Sequence, residues 1–212
     1  MKTIYLVRHA EYANPQNILA GRLPLPLTPK GEQQARALGE YFSTAGIQKI
    51  YSSAVHRCHQ TSEIIQQSIA ELMDQGTVPP LVHDQRLLET FSAYQGFWGD
   101  GLTTNWDDFF SHTQQLGGEL PSDIHLRMVD FFTELVNQSE DNVLICSHGD
   151  PLFCLYTWLL QEPLPNWQDI TSEAYPQYQP KASVRKVIWQ DSENITVDDF
   201  VPVEALPPNF PA

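Results

Sequence analysis

The apolar residues of this chain fall into two alternating rhythms. Ile4 to Val7 is a short unbroken apolar run that ends at Arg8-His9, the pattern of a strand buried on both faces of a parallel sheet. Thr28-Pro29 then reads as a helix cap with proline at the first helical position, and Ala35, Leu38, Tyr41, Phe42 and Ala45 recur at helical spacing before Gly46. Ile47 to Tyr51 is a second strand running into Ser52-Ser53, and Val55, Cys58, Ile65, Ile69 and Leu72 mark one face of a second helix. The alternation returns downstream, where Ile124, Met128, Phe131, Phe132, Leu135 and Val136 form an amphipathic stripe and Val143 to Cys146 another buried strand. Asp150-Pro151 repeats the cap-then-proline start and opens an apolar helix over Leu152 to Leu160. Val184 to Trp189 and Ile195 to Val201 flank residues 191–194 as an antiparallel hairpin at a sheet edge. The prediction is an α/β fold of three layers, a mostly parallel central sheet with helices on both faces and an antiparallel edge.

Two stretches stand outside this pattern, residues 90–121 and 162–182, both rich in Gly, Pro, Asn and aromatics. Loops of this length inside a compact domain are commonly functional. The first carries Phe91, Tyr94, Phe97, Trp98, Trp106, Phe109 and Phe110, more aromatic surface than a solvated linker holds, and reads as a lid or pocket wall with room for a short helix over residues 106–112. Residues 1–201 read as a single domain, and 202–212, with Pro202, Pro207, Pro208 and Pro211, as an extended surface tail.

Composition narrows the function. The 212 residues hold 12 Lys plus Arg against 26 Asp plus Glu, a net charge of −14, which disfavours nucleic acid and anionic membrane surfaces as partners. An anionic small molecule needs a local basic pocket. Cys58, Cys146 and Cys154 lack metal or redox spacing and read as reduced core residues, and His56 and His59 lack the companions of a metal site. The opening apolar run is too short for a signal peptide, and no stretch approaches the roughly 18 apolar residues of a membrane span, so a soluble, cytoplasmic protein is expected.

In a parallel α/β sheet, ligands bind beyond the carboxyl ends of the strands, where helix amino termini present free N–H groups. His9 follows the first strand and His148 the strand at 143–146, so the two imidazoles converge if those strands are neighbours. Arg8 stands beside the first histidine, and Arg57 opens the helix after the Ser52-Ser53 strand end. Guanidinium groups bind phosphate through paired planar donors, so this set favours a phosphoryl group. Glu89 borders the aromatic loop and can supply a proton to a leaving alkoxide. Arg22, beside the first-strand loop, is a further candidate to reach the pocket, whereas Arg86 and Arg127 read as surface or ion-pair residues.

The string Leu6-Val7-Arg8-His9-Ala10-Glu11 resembles the LxRHGE signature of the histidine phosphatase superfamily, which includes the cofactor-dependent phosphoglycerate mutases. Further blocks follow in the family's order: Gly21-Arg22; Pro26-Leu27-Thr28 with Gly31, Gln34 and Ala35; Tyr51-Ser52-Ser53 with Arg57 and Thr61; Arg86-Leu87 with Glu89; Gly96 with Trp98-Gly99; and Ser147-His148-Gly149. The resemblance implies a phosphoglycerate mutase-like fold, His9 as a nucleophile that forms a phosphohistidine, Arg8, Arg57 and His148 around the phosphoryl oxygens, Glu89 as the acid, and no metal or other cofactor. It also implies a small phosphate ester as partner; the oligomeric state stays open.

The departures matter too. Ala10 stands where the family has glycine, placing a methyl near the phosphate. Pro15 occupies the position of the family's usual asparagine, and Asn14, one residue earlier, is the candidate substitute among the phosphate-binding residues. Gly118-Glu119-Leu120 resembles the family's GES with its serine replaced, and the chain is too short for the mutases' extra insertion. Both points favour a phosphomonoesterase over a mutase-type phosphoryl transferase. A module that binds phosphorylated ligands without turnover is the third reading.

Overall fold

The computed structural model describes residues 1–73, 77–97, 112, 114–164 and 176–207. β1 (Lys2–Arg8) leads into α1 (Pro29–Phe42), β2 (Lys49–Ser52) and α2 (His56–Leu72). A short β3 (Leu81–His83) and a 3₁₀ turn (Gln85–Leu87) come next, then α3 (Pro121–Leu135), β4 (Asn142–Ser147) and α4 (Gly149–Leu159). β5 (Ser183–Trp189), β6 (Ile195–Val197) and β7 (Val201–Pro202) close the chain. The strand order is β3-β2-β4-β1-β5-β6, with β7 also on β5; the first four strands are parallel, and β5 runs antiparallel to β1.

The unbroken apolar runs are explained by helices covering both sheet faces. Tyr5, Val7, Ile50, Leu144 and Cys146 pack with Ala35, Leu38 and Phe42 of α1 and Cys58, Ile65 and Ile69 of α2. Ile4, Leu6, Tyr51, Val143 and Ile145 turn the other way, onto Ile124, Met128, Phe131 and Phe132 of α3 and Leu152 and Leu155 of α4. The result is the three-layer α/β architecture with its antiparallel edge.

Local chemistry starts the helices. The Thr28 hydroxyl accepts from the Gly31 amide at 3.0 Å and donates to Glu11 Oε1 at 2.9 Å, capping α1 and tying it to the loop after β1. Pro121 begins α3, and Asp123 accepts from the Leu120 amide at 2.7 Å.

Four expectations change. α4 is capped by His148 backbone, not by Asp150, which sits in its first turn because its carboxylate is engaged by other side chains described below. The strand expected over Ile195–Val201 divides into β6 and β7, because Arg185 Nη1 reaches in to the Asp198 carbonyl at 2.9 Å. β3 was not anticipated, since its three partly exposed residues carry no periodic signal. The tail does not begin at Pro202: β7 pairs with β5, and Val203 is buried in the core cluster of the α1 and α2 face. Residues 208–212, most of the segment expected to be helical over 106–112, and Trp98, Trp106, Phe109 and Phe110 lie outside the described residues, as does 165–175 of the second long loop.

Candidate active site

Sheet register assembles the site. Arg8 stands opposite Ser147, and Ser52 opposite Cys146, so β1, β4 and β2 end level with one another. The pairing continues one residue further, the His9 amide donating to the Ser147 carbonyl at 3.1 Å and Ser53 to Cys146 at 3.0 Å. His9 and His148 therefore leave neighbouring strands side by side, with ring centroids 5.2 Å apart. α2 starts three residues after Ser53 and drives Arg57, from its first turn, between them. Arg57 Nε lies 3.1 Å from His9 Nε2, and its Nη2 lies 3.0 Å from His148 Nδ1, 3.2 Å from Glu89 Oε2 and 2.9 Å from the Gly21 carbonyl.

The partners assign the tautomers. His9 Nδ1 faces the Ala10 carbonyl at 2.8 Å; a carbonyl only accepts, so Nδ1 carries the proton and Nε2 keeps its lone pair. His148 Nδ1 faces an Arg57 donor, so its Nε2 carries the proton and donates to Ser53 Oγ at 2.9 Å. Both rings are buried, and burial together with the positive charge of Arg57 holds each imidazole well below the usual histidine range, hence neutral.

Glu89 behaves in the opposite sense. Burial and then the negative charge of Asp150 raise its carboxyl above the usual range, outweighing Arg57 and the Thr90 amide that donates to Oε1 at 2.9 Å. Asp150 itself is held by the Tyr178 hydroxyl at 2.7 Å and the Thr90 hydroxyl at 2.7 Å. Arg8 donates from Nη1 to the Gln179 carbonyl at 2.8 Å and stacks on the Tyr178 ring at 5.2 Å. Arg8 Nε and Arg57 Nη1 are buried without a hydrogen-bond partner among the described residues. Two unsatisfied guanidinium donors beside the His9 ring fit an anion, since leaving such donors unpaired is costly.

His9, Arg57, Glu89 and His148 are thus brought together, with Arg8 on the adjoining strand end. Asn14 is not part of the group: its amide donates to the Ile18 carbonyl at 2.8 Å and accepts from the Ile18 amide at 3.1 Å, so its polar atoms are spent closing their own loop. Arg22 sits behind the cluster. Its Nε donates to the Glu89 carbonyl at 2.8 Å and its Nη2 pairs with Glu119 at 2.9 Å, while Glu119 also holds Arg127. Ala10 is fully buried in the core cluster of the α1 and α2 face and its amide donates to the Thr61 hydroxyl at 3.1 Å, so its methyl packs in the core. Gly149 has its own reason to lack a side chain, because a Cβ there would lie 2.1 Å from the Tyr178 hydroxyl.

Sequence reasoning missed Ser53, Tyr178 and Asp150 as neighbours of the site. Ser53 was findable, being at a strand end beside the two histidines. Tyr178 was marked only by the length and aromaticity of its loop, and Asp150 was masked by its resemblance to a cap. Among the described residues, no helix is long and apolar enough to cross a membrane.

A three-layer α/β sheet that gathers two neutral histidines, two arginines and a carboxyl of raised proton affinity at its parallel strand ends defines an enzyme of the phosphoglycerate mutase-like kind. The chain belongs to the histidine phosphatase superfamily, branch 1, which it matches over residues 4–197. It is 35% identical over 180 residues to "Putative phosphoserine phosphatase 2" of Hydrogenobacter thermophilus, covering 78% of this chain and 84% of that one. It is 29% identical to "Probable phosphoglycerate mutase GpmB" of Salmonella paratyphi A, covering 80% and 79%. Among solved structures it is similar to Bacillus stearothermophilus YhfR, with a TM-score of 0.74 and 25% identity over 93% of this chain and 95% of that one.

Proposed function

We propose that this protein is a phosphomonoesterase that hydrolyses a small phosphorylated metabolite through a phosphohistidine on His9. The observation that carries this reading is the His9 Nε2 lone pair, buried and neutral, against Arg57. A neutral imidazole is a competent nucleophile, whereas an imidazolium has no lone pair to offer.

In the first step His9 Nε2 attacks phosphorus and the ester P–O bond breaks. The departing alkoxide takes the proton that Glu89 holds. Arg8 and Arg57, with their spare donors, and His148, once its tautomer switches so that Nδ1 carries the proton and Nε2 accepts from the Ser53 hydroxyl, stabilise the negative charge on the three equatorial oxygens. In the second step water attacks the phosphohistidine, the P–N bond breaks, Glu89 takes the water's proton, and inorganic phosphate leaves with His9 neutral again. The relatives' names support the class, since phosphoserine and phosphoglycerate are both phosphate esters of small acids.

The test is hydrolysis of p-nitrophenyl phosphate in the presence of chelator, together with an acid-labile, base-stable phosphoenzyme trapped by rapid quench. His9→Ala is expected to abolish both. Undiminished turnover by His9→Ala would refute the mechanism, and phosphate binding without any turnover by the wild type would favour the binding module.

A further inference from the structure

Among the described residues, the two largest fully buried side chains are both arginines. Arg57 stands at the centre of the site; Arg185, in β5 and 1% exposed, has no part in the chemistry above. Burying a guanidinium is costly. Burial holds that of Arg185 below the usual arginine range, an effect that Tyr156 and Asp199 offset only in part, and its Nε is buried without a hydrogen-bond partner among the described residues. The guanidinium lies over the Tyr156 ring of α4, 3.9 Å from its centroid, with the Phe200 ring at 5.5 Å. Its planar fork serves two separate segments at once. Nη1 donates to the Asp198 carbonyl between β6 and β7 at 2.9 Å, and Nη2 donates to the Gln177 carbonyl at 2.9 Å and to Gln177 Oε1 at 3.3 Å. Gln177 Nε2 in turn donates to Asp199 Oδ1 at 3.1 Å, so Gln177 is pinned by both backbone and side chain.

The two residues after Gln177 reach into the site. Tyr178 gives its hydroxyl to Asp150 and its ring to Arg8, and the Gln179 carbonyl accepts from Arg8 Nη1. Beyond them the chain is fastened again. The Gln179 side chain donates to the carbonyls of Leu6 and Ser183 at 2.9 and 2.8 Å, and the amide of the fully buried Ala182 donates to the His9 carbonyl at 3.1 Å. Ala182 holds φ at +50°, a left-handed conformation that a non-glycine residue keeps only where its surroundings impose it. Residues 177–182 thus form a strap held at both ends, with the contacts to Arg8 between the anchors. One anchor is the end of β1; the other is Arg185.

We propose that Arg185 is a positioning residue: by pinning Gln177 it holds residues 178 and 179 against Arg8, and so fixes the guanidinium that grips the phosphoryl group. This rests on the reading of the site as a phosphoryl pocket and adds to it a residue that lies outside the pocket and acts through the strap. Arg8 takes a hydrogen bond and a ring contact from that strap, so a shift of Gln177 is passed to Arg8 through two consecutive residues. The rival role for Arg185 is to tie β5 to the β6–β7 connection through Asp198. The two roles part at phosphate, because a tie at the sheet edge has no path to Arg8.

The test uses Arg185→Met, which keeps much of the side chain's length and removes its donors. Calorimetric titration with inorganic phosphate and kcat/KM for p-nitrophenyl phosphate are measured for wild type, Arg185→Met, Tyr178→Leu and the variant carrying both changes, at a temperature where circular dichroism shows each to be folded. Arg185→Met is expected to weaken phosphate binding and kcat/KM by about tenfold each. The double variant is expected to lose less than the product of the two single losses, because Tyr178→Leu has already removed the ring through which the strap holds Arg8. Unchanged phosphate affinity in Arg185→Met, or single losses that simply multiply, overturns the proposal and leaves Arg185 to the sheet edge. Should Arg185→Met not fold, Gln177→Ala carries the test, since it frees the strap from Oε1 and from Asp199; phosphate binding should weaken by about twofold or more, and unchanged affinity overturns the proposal. Phosphate binding needs no turnover. A wild type that binds phosphate without hydrolysing the ester, and binds it less in Arg185→Met, removes the phosphatase reading and keeps the positioning role; an active wild type with Arg185→Met unchanged does the reverse.

Discussion

At Glu89 two opposing charges compete, and the outcome sets the chemistry. Arg57 at 3.2 Å favours the carboxylate, while burial and Asp150 favour the acid, and the latter pair wins. His9 shifted down and Glu89 shifted up each favour the pairing of a neutral nucleophile with a protonated acid. The pH profile of kcat/KM for an alkyl phosphate should therefore show its alkaline limb where Glu89 loses its proton, above the ordinary carboxylate range. Glu89→Gln should erase that limb and slow alkyl phosphates by about 10²–10⁴-fold, with a smaller loss on p-nitrophenyl phosphate, whose leaving group departs unprotonated. Asp150→Asn removes a charge that raises Glu89, so its alkaline limb should move to lower pH; a limb that stays in place would show that Asp150 does not tune the acid.

At the level of single elements, the site depends on how helices begin. Thr28→Ala removes the α1 cap and its link to Glu11, and should cost about 1 kcal/mol in urea unfolding. Gly149→Ala is expected to cost more, about 1–3 kcal/mol, because a Cβ in the first turn of α4 must displace the Tyr178 ring, and with it the contacts of Tyr178 to Asp150 and Arg8. Circular dichroism and kcat measured on the same variant would show whether helix and activity fall together. These elements were largely legible in the chain. Thr28-Pro29 and the stripe Ile124 to Leu135 declare themselves through local rules, since caps and amphipathic periods are satisfied within a few residues. Asp150 misled for the same reason: a local rule made it a cap, and only a tyrosine 28 residues away shows why it is not.

For the molecule as a whole, the buried histidines couple folding to pH. His9 and His148 stay neutral in the folded state to a lower pH than in the unfolded chain, where they titrate near 6.5. As pH falls below about 6.5 the unfolded state binds more protons, so their contribution is full above that value and is lost on acidification, by up to about 1.4 kcal/mol per histidine per pH unit. Glu89 works the other way, its stabilisation being complete below the ordinary carboxylate range and fading as pH rises through its raised value. Urea midpoints between pH 7 and 5.5 should fall, and less steeply in His148→Gln. An equal slope in that variant would assign the acid sensitivity elsewhere.

The α/β alternation, the burial of both sheet faces and the ordered set of His9, Arg57, Glu89 and His148 can all be read from the chain alone, because periodicity and strand-end chemistry are local in sequence. Tertiary packing decided the rest. Whether β1 and β4 are neighbours, which brings the two imidazoles to 5.2 Å, depends on strand order across more than 130 residues. The turn of Asn14 away from the site, the placing of Arg22 behind Glu89 and the seating of Ala10 in the core depend on competing hydrogen bonds and burial. Those contests are settled only when distant segments meet, since a polar side chain goes to whichever buried partner the completed fold leaves unpaired.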